Sequence, residues 1–226
     1  MKKLVVFTGA GMSAESGLKT FRDSDGLWEG YDIHEVATPS AWNNNPALVL
    51  QFYNERRKNC LQAQPNVAHL MLKDLEQDFD VQIITQNIDD LHERAGSTSI
   101  LHLHGEIVKM RNEHSDHRTY PIYTDMHIGD RDENGIQLRP HIVWFNEPVP
   151  MISKAIDIVR QADIFVVIGT SLVVYPAASL IDFVHAKTPI FVLDKKIPAI
   201  QQEIVAIEKT AVEGSSMLRE LLLKLK

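Results

Sequence analysis

Three stretches of the chain hold residue types that can do chemistry, and each lies at a short apolar run. The first is "GAGMSAESGLKTFR", residues 9–22, directly behind "LVVF" at Leu4–Phe7. Its Gly9-Ala10-Gly11-Met12-Ser13-Ala14 fits G-x-G-x-x-G/A, in which the first glycine makes a tight turn and the second lets backbone approach a pyrophosphate. Backbone N–H groups at the start of a following helix would meet the phosphate charge. A plain strand-to-helix turn can carry the same letters. The second stretch is "TQNIDDLHERAG", residues 85–96, where Gln86, Asn87 and Asp89 set two amides and a carboxylate at the C-terminal end of a strand. Ligands of open α/β sheets bind at that end, and an amide can hold a carboxamide or a water without adding charge. An Asn/Asp cap on a helix over 89–95 is the structural alternative, and the two are compatible. In the third, "ILHLHGEI" at 100–107, His102 and His104 share one face of a strand, and Gly105 leaves the His104 ring open on one side. Histidine is the side chain suited to moving a proton near neutral pH. Residue type alone does not rank His104 above His102.

The elements that must position these residues read as alternating strands and helices. Apolar, β-branched runs recur at "KLVVFT" (ending at Thr8), "VQIIT" (81–85), "ILHL" (100–103), "HIVWF" (141–145), "DIFVVIG" (163–169) and "PIFVL" (189–193). Several are apolar on both faces, as buried parallel strands are. Helical character falls at 46–62, 65–77, 151–161, 176–186 and 214–225. The alternation predicts an α/β fold, a Rossmann-like parallel sheet flanked by helices. Its core is expected from 1–22, 79–111 and 140–226, with a smaller module formed by insertions at 23–78 and 112–139.

The chain has 226 residues, 44% hydrophobic and 23% charged, enough for a buried core without a disulfide or metal. Its net charge of −7 argues against a nucleic-acid partner. The lone cysteine, Cys60, excludes an internal disulfide and an all-cysteine zinc site. The apolar run in "MKKLVVF" is shorter than the roughly 7–15 residues of a secretory h-region. No stretch approaches the ~18 apolar residues of a membrane span. A cytoplasmic protein with no membrane partner is expected.

The helix at 46–62 carries one anomaly. At ~100° per residue, Val49, Tyr53, Arg56 and Cys60 form a stripe, with Gln51, Asn54, Glu55 and Lys58 opposite. A solvated arginine belongs with the polar set, so Arg56 beside Tyr53 calls for an anion. An internal salt bridge or a snorkelling side chain would also account for it.

Together the blocks "GAGMSAESG", "FR" at 21–22, "GLW" at 26–28, "TQNIDDLHERAG", "HGE" at 104–106, "RPHIVWF" at 139–145 and "GTSL" at 169–172 resemble the sirtuins, NAD-dependent protein-lysine deacylases. The resemblance runs from Lys2 to about Ile190. It implies NAD as co-substrate, bound by Gly9, Ala10, Gly11, Ala14, Phe21, Arg22, Gln86, Asn87, Ile88, Asp89 and His104. Gly169, Thr170, Ser171 and Asp194 would lie on the adenosine side, Asp194 standing where the family often has asparagine. Asn87, Asp89 and His104 would be catalytic. In the chemistry so implied, the acyl carbonyl oxygen attacks the ribose C1′ as nicotinamide leaves. His104 then deprotonates a ribose hydroxyl, and water finally releases lysine and O-acyl-ADP-ribose. Partners would be acyl-lysine proteins or peptides, met by a monomer. Tyr53-Asn54-Glu55-Arg56 matches the Y-x-x-R pair of the bacterial subgroup that removes succinyl and malonyl groups, often alongside acetyl. An NAD hydrolase or ADP-ribosyltransferase is the nearest alternative chemistry, and a non-catalytic NAD sensor the alternative of another class. A redox dehydrogenase is disfavoured, since no partner set for hydride transfer accompanies the glycine loop.

Two departures from the family stand out. Most sirtuins hold the small module with a four-cysteine zinc site, yet residues 106–140 contain no cysteine, and His114, Asp116, His117 and His127 are loosely spaced for a metal. A zinc-free module held by ordinary packing is expected. A peptide substrate is expected to add as a strand along Val143, Trp144, Phe145 and Asn146. Asn146 replaces the family's usual glycine, and asparagine tolerates the positive φ that glycine would adopt.

Overall fold

The computed structural model describes residues 1–19, 30–115 and 117–226. Phe21 and Arg22, and the candidate metal ligand Asp116, lie outside the described residues.

β1 (Lys3–Thr8) runs into the short helix α1 (Gly11–Ala14), and then follow α2 (Ile33–Val36), α3 (Pro39–Asn44), α4 (Pro46–Gln62) and α5 (Val67–Leu75). β2 (Asp80–Thr85), α6 (Leu91–Arg94) and β3 (Ile100–His102) lead to β4 (Gly105–Asn112), β5 (Thr119–Pro121) and β6 (Leu138–Ile142). The chain closes with α7 (Ile152–Val159), β7 (Ile164–Ile168), a 3₁₀ helix (Ala177–Phe183), β8 (Ile190–Asp194), β9 (Ile204–Glu208) and α8 (Ala211–Leu223).

Six strands form one parallel sheet in the order β3-β2-β1-β7-β8-β9. The side-chain period of two sends Leu4, Val6, Ile83, Val166 and Leu193 to one face, where α5 and α8 cover them. Val5, Phe7, Ile84, Phe165 and Val192 face the other way, toward α7 and the 3₁₀ helix. This is the doubly covered parallel sheet that the runs of apolar residues predict. β9 adds an edge strand that the sequence reading lacks; Val205 on it is exposed, as an edge allows.

A second sheet of three antiparallel strands, β5-β4-β6, packs with α2–α4 around its own core of Trp42, Val49, Phe52, Tyr53, Ile107, Met126, Ile142 and Trp144. Packing therefore divides the chain at other points than the sequence reading did. Ala68, Met71, Leu72 and Leu75 of α5 pack on the parallel sheet, although they fall inside the insertion 23–78. β4 and β6 belong to the small sheet, although the reading gave 105–111 and 140–142 of them to the core. The expected strand at 141–145 ends at Ile142; Trp144 is apolar because it fills the small core, not because it extends a strand.

α4 has the bounds expected, with Asn45 Oδ1 accepting from Leu48 N at 3.1 Å and Pro46 at its first position. Its buried stripe is shifted, however. Arg57 is fully buried, and Arg56 sits half-buried at the border. Arg57 Nε donates to the Ile107 carbonyl (2.9 Å), and Nη1 donates to Asn54 Oδ1 (2.7 Å) and the Thr124 carbonyl (3.2 Å). Asn54, expected on the solvent side, exchanges two 2.9 Å bonds with the Met126 backbone. One guanidinium thus ties α4 to β4 and to the loop after β5.

Polar bonds also fasten the far end of the small module. Asp132 accepts from Asn112 Nδ2 (2.6 Å) and from the backbone of Asn134 and Ile136 (2.9 Å each). Gln137 Nε2 donates to the Leu138 carbonyl at 2.9 Å and the Asp130 carbonyl at 3.1 Å. Among the described residues no group of three or more His, Cys, Asp or Glu comes together as a metal would need, and Cys60 is buried in α4.

Removing the Arg57 head group leaves the buried Ile107 carbonyl without its donor, which costs about 1–3 kcal/mol, and cuts the ties to Asn54 and Thr124. Arg57→Met should therefore lower stability by several kcal/mol in urea unfolding, while Glu55→Met on the exposed face should stay within about 0.5 kcal/mol of the native protein.

Candidate active site

Strand order reverses direction between β1 and β7, the switch point at whose C-terminal strand ends open α/β sheets bind their ligands. The two loops touch backbone to backbone. Gly9 N donates to the Ile168 carbonyl (3.0 Å) and Gly11 N to the Gly169 carbonyl (2.9 Å). A Cβ on Gly11 would lie 2.7 Å from Gly169 Cα, and one on Gly169 (φ +63°) would lie 2.3 Å from Met12 N. The glycines are required by this interlock between loops, a constraint separate from the pyrophosphate approach read from the sequence.

The strand end after β2 is built against the same loop. Gln86 Nε2 donates to Thr170 Oγ1 at 2.9 Å, joining the β2 and β7 loops. Asn87 is buried; its N donates to Thr85 Oγ1 (3.0 Å) and its Nδ2 to Ser13 Oγ (3.1 Å). Asp89 is buried too and accepts from Leu91 N at 3.1 Å, so it also caps the turn into α6. Burial pushes its carboxyl above the usual range, opposed by the Leu91 N–H, the Ser13 hydroxyl and the charge of His102.

His104 stands on the seam between the sheets, after β3 and before β4. Its Nδ1 lies 3.1 Å from the Gln86 carbonyl oxygen and therefore carries the hydrogen. Nε2 makes no hydrogen bond among the described residues. Burial lowers the pKa below the ordinary histidine value, so at neutral pH the ring is uncharged with a basic Nε2. His102 differs, with partners on both nitrogens: the Asn87 carbonyl at 3.0 Å and Glu93 Oε1 at 2.8 Å. Only one of the two imidazoles is available to a ligand.

A second group gathers on the small module. The Tyr53 ring packs 6.5 Å from Trp144, which in turn lies 5.8 Å from Trp42. The Tyr53 hydroxyl and Trp144 Nε1 are buried without a well-formed hydrogen bond among the described residues. Burial pushes the phenol pKa far up, and the nearby Arg56 charge and Trp144 indole N–H only partly oppose it. The Arg56 guanidinium stands 5.5 Å over the Phe52 ring. After β6 the chain turns through Asn146, whose φ of +69° is the backbone shape expected there. Glu147 fixes that turn: it accepts from Arg139 Nη1 (2.7 Å), Arg139 Nη2 (3.1 Å) and Trp144 N (2.8 Å). The Arg139 guanidinium stacks 3.2 Å from the Trp144 ring centroid.

The model of the Sir2 family matches residues 9–176. The chain belongs to the Sir2 family. An NAD-dependent protein deacylase of Helicobacter pylori is 49% identical over 227 residues, covering 100% of this chain and 99% of its own. A solved Sir2 homologue mutant in complex with ADP ribose superposes with a TM-score of 0.89 at 36% identity, covering 99% of this chain and 93% of its own. A Sir2 homologue in complex with NAD gives 0.88 at 37% identity, over 99% of this chain and 90% of its own.

In this Sir2 chain the residues singled out from sequence fall in two places. Gly9, Ala10, Gly11, Ala14, Gln86, Asn87, Asp89, Gly169, Thr170 and Ser171 follow the C-terminal ends of β1, β2 and β7, and Asp194 ends β8 beside them, where Leu193 O accepts from Gly169 N at 2.9 Å. Ile88 instead packs into the small core with Tyr53 and Trp144. Sequence reasoning missed Ser13, which holds both Asn87 and Asp89, and Arg139 with Glu147, which shape the 143–147 turn. Ser13 had a local signal, a small polar residue two places after Gly11; the Arg139–Glu147 pair had only its eight-residue spacing.

Gly105 secures the seam. Its φ is +81°, and a Cβ there would lie 2.0 Å from the His141 carbonyl oxygen. Gly105→Ala should cost at least the ~1–3 kcal/mol of a left-handed non-glycine residue, read as a lower thermal midpoint, and should separate β4 from β6 at their first rung.

Proposed function

We propose that this Sir2 chain is an NAD-dependent protein-lysine deacylase that removes acetyl and also succinyl or malonyl groups. Nicotinamide, O-acyl-ADP-ribose and free lysine are its products. The observation that carries the reading is the state of His104: neutral, with Nδ1 committed and Nε2 available, beside Asn87 and Asp89 at the crevice.

NAD fits the crevice by donor chemistry. The interlocked loops offer backbone around Gly9–Gly11 and Gly169–Ser171 to its phosphates and adenosine, and Asp194 can accept from ribose hydroxyls. The Asn87 amide and the buried Asp89 carboxylate suit a carboxamide. When bound, NAD supplies an electrophilic ribose carbon and a leaving nicotinamide. His104 Nε2 takes the proton from a ribose hydroxyl, and the Gln86 carbonyl holds Nδ1–H so that the correct tautomer faces it. Protonation of His104 removes the base, so activity is lost as pH falls through its lowered pKa.

Tyr53, Trp144 and Arg56 support the acyl preference. The buried Tyr53 hydroxyl stands beside the Trp144 indole N–H and near the Arg56 guanidinium, and its own hydrogen is a donor that a terminal carboxylate can accept. Each charge-assisted bond contributes about 1.5–3 kcal/mol, or roughly 10- to 150-fold in discrimination. Val143–Asn146 would take the peptide backbone as an added strand.

An acyl-peptide panel with and without NAD, following nicotinamide and O-acyl-ADP-ribose by mass spectrometry, tests both levels. The native protein should consume NAD only with acylated peptide, and His104→Ala should lose turnover. Arg56→Met should lose at least about tenfold in kcat/KM on succinyl-lysine and far less on acetyl-lysine. Equal losses on both peptides would remove the carboxylate-reading role, and free ADP-ribose without acyl peptide would point to NAD hydrolysis. The small module is, in the same proposal, zinc-free. Elemental analysis of purified protein should find zinc well below one ion per chain, and full activity should survive a chelator.

A further inference from the structure

His102 and His104, two residues apart, each grip a backbone carbonyl of the loop after β2. His104 Nδ1 holds the Gln86 oxygen at 3.1 Å and His102 Nδ1 holds the next one, Asn87, at 3.0 Å. The register Thr85↔His102 between β2 and β3 brings them opposite that loop. At His102 the other nitrogen, Nε2, reaches Glu93 Oε1 at 2.8 Å. A carbonyl and a carboxylate only accept hydrogen bonds, so both nitrogens of His102 carry hydrogen and the ring is an imidazolium. Its side chain is 7% exposed and that of Glu93 39%, so the carboxylate stands at the outer end of the chain of bonds and the Asn87 carbonyl at the inner end.

We propose that Glu93 and His102 are positioning residues for the reaction: Glu93 keeps His102 an imidazolium, which fixes the Asn87 backbone and supports the negative charge of Asp89. The inference rests on the deacylase reading. Other charges face the pair from each neighbouring element. His92 and Asp90 come from α6 and the residue before it, Asp89 from the β2 loop, and Glu106 and Lys109 from β4. Lys109 is itself paired with Glu106 at 2.8 Å. Burial works against the His102 charge, but the Glu93 hydrogen bond and charge, with Glu106 and the Asn87 carbonyl, outweigh it and raise the pKa above the ordinary histidine value. The sign follows: the cation is present below the raised pKa and is lost as pH rises through it. His104 sets the acid limb of activity and His102 an alkaline limb.

Glu93→Gln tests this, since glutamine keeps the volume and can donate to Nε2 of a neutral His102 while removing the charge. The pH profile of kcat/KM on an acetyl-lysine peptide should keep its acid limb in place and move its alkaline limb to lower pH. A uniform loss at all pH values, or a profile superimposing on that of the native protein, overturns the proposal. Imidazole ¹⁵N shifts give a readout independent of turnover. His102 should be doubly protonated at pH 7 in the native protein, where His104 is neutral, and should titrate at lower pH in Glu93→Gln. A neutral His102 in the native protein overturns the proposal whatever the activity. Native protein that releases no nicotinamide overturns the deacylase reading instead, and the ¹⁵N shifts then decide the state of the dyad alone.

Discussion

Everything at the crevice depends on backbone meeting backbone where β1 and β7 end. Parallel strands lie about 4.7–4.9 Å apart, and two loops leaving adjacent strands can close on each other only if neither carries a side chain at the contact. Gly11 and Gly169 meet that condition, each standing where the other's Cβ would be. Their contact fixes Thr170, which accepts from Gln86, whose carbonyl holds His104. Placement of the His104 ring is therefore traceable, bond by bond, to a steric requirement for absent side chains.

The small module follows a different logic. Its antiparallel sheet and short helices bury one aromatic cluster, and polar side chains carry the long-range ties. Arg57 joins α4 to β4 and to the loop after β5, Asp132 gathers a turn, and Glu147 locks the segment from Trp144 onward. Each of these groups satisfies backbone partners that a loop-rich module would otherwise leave without bonds. Charged groups buried in this way are committed by geometry, which is why Arg57 and Arg139 both have pKa values lowered chiefly by burial yet remain cationic.

Much of this was legible in the sequence where the signal is local. Doubly apolar runs marked the central parallel strands, and Asn45-Pro46 marked the start of α4. The glycine loop, Asn87, Asp89 and His104 were singled out as candidates by their place at strand ends together with the resemblance to the sirtuins. What failed had distant causes. Residues 141–145 look like one strand, but Trp144 is apolar for the small core and Glu147 turns the chain. A 100° stripe favours Arg56 over Arg57, whereas carbonyls more than 45 residues away bury Arg57. His102 and His104 could not be ranked until the register of β3 against β2 set the partners of each ring.

The seam at Leu103–Gly105 has a mechanical meaning. Leu103 N donates to Thr85 of the parallel sheet at 2.9 Å, and the His104 carbonyl accepts from Val143 beside the small sheet, also at 2.9 Å. The imidazole thus hangs on a segment tied to both sheets, and its position is only as good as theirs. A misplacement of 1 Å costs on the order of 10²-fold in rate. Any shift of one sheet against the other would therefore be carried directly to the His104 ring.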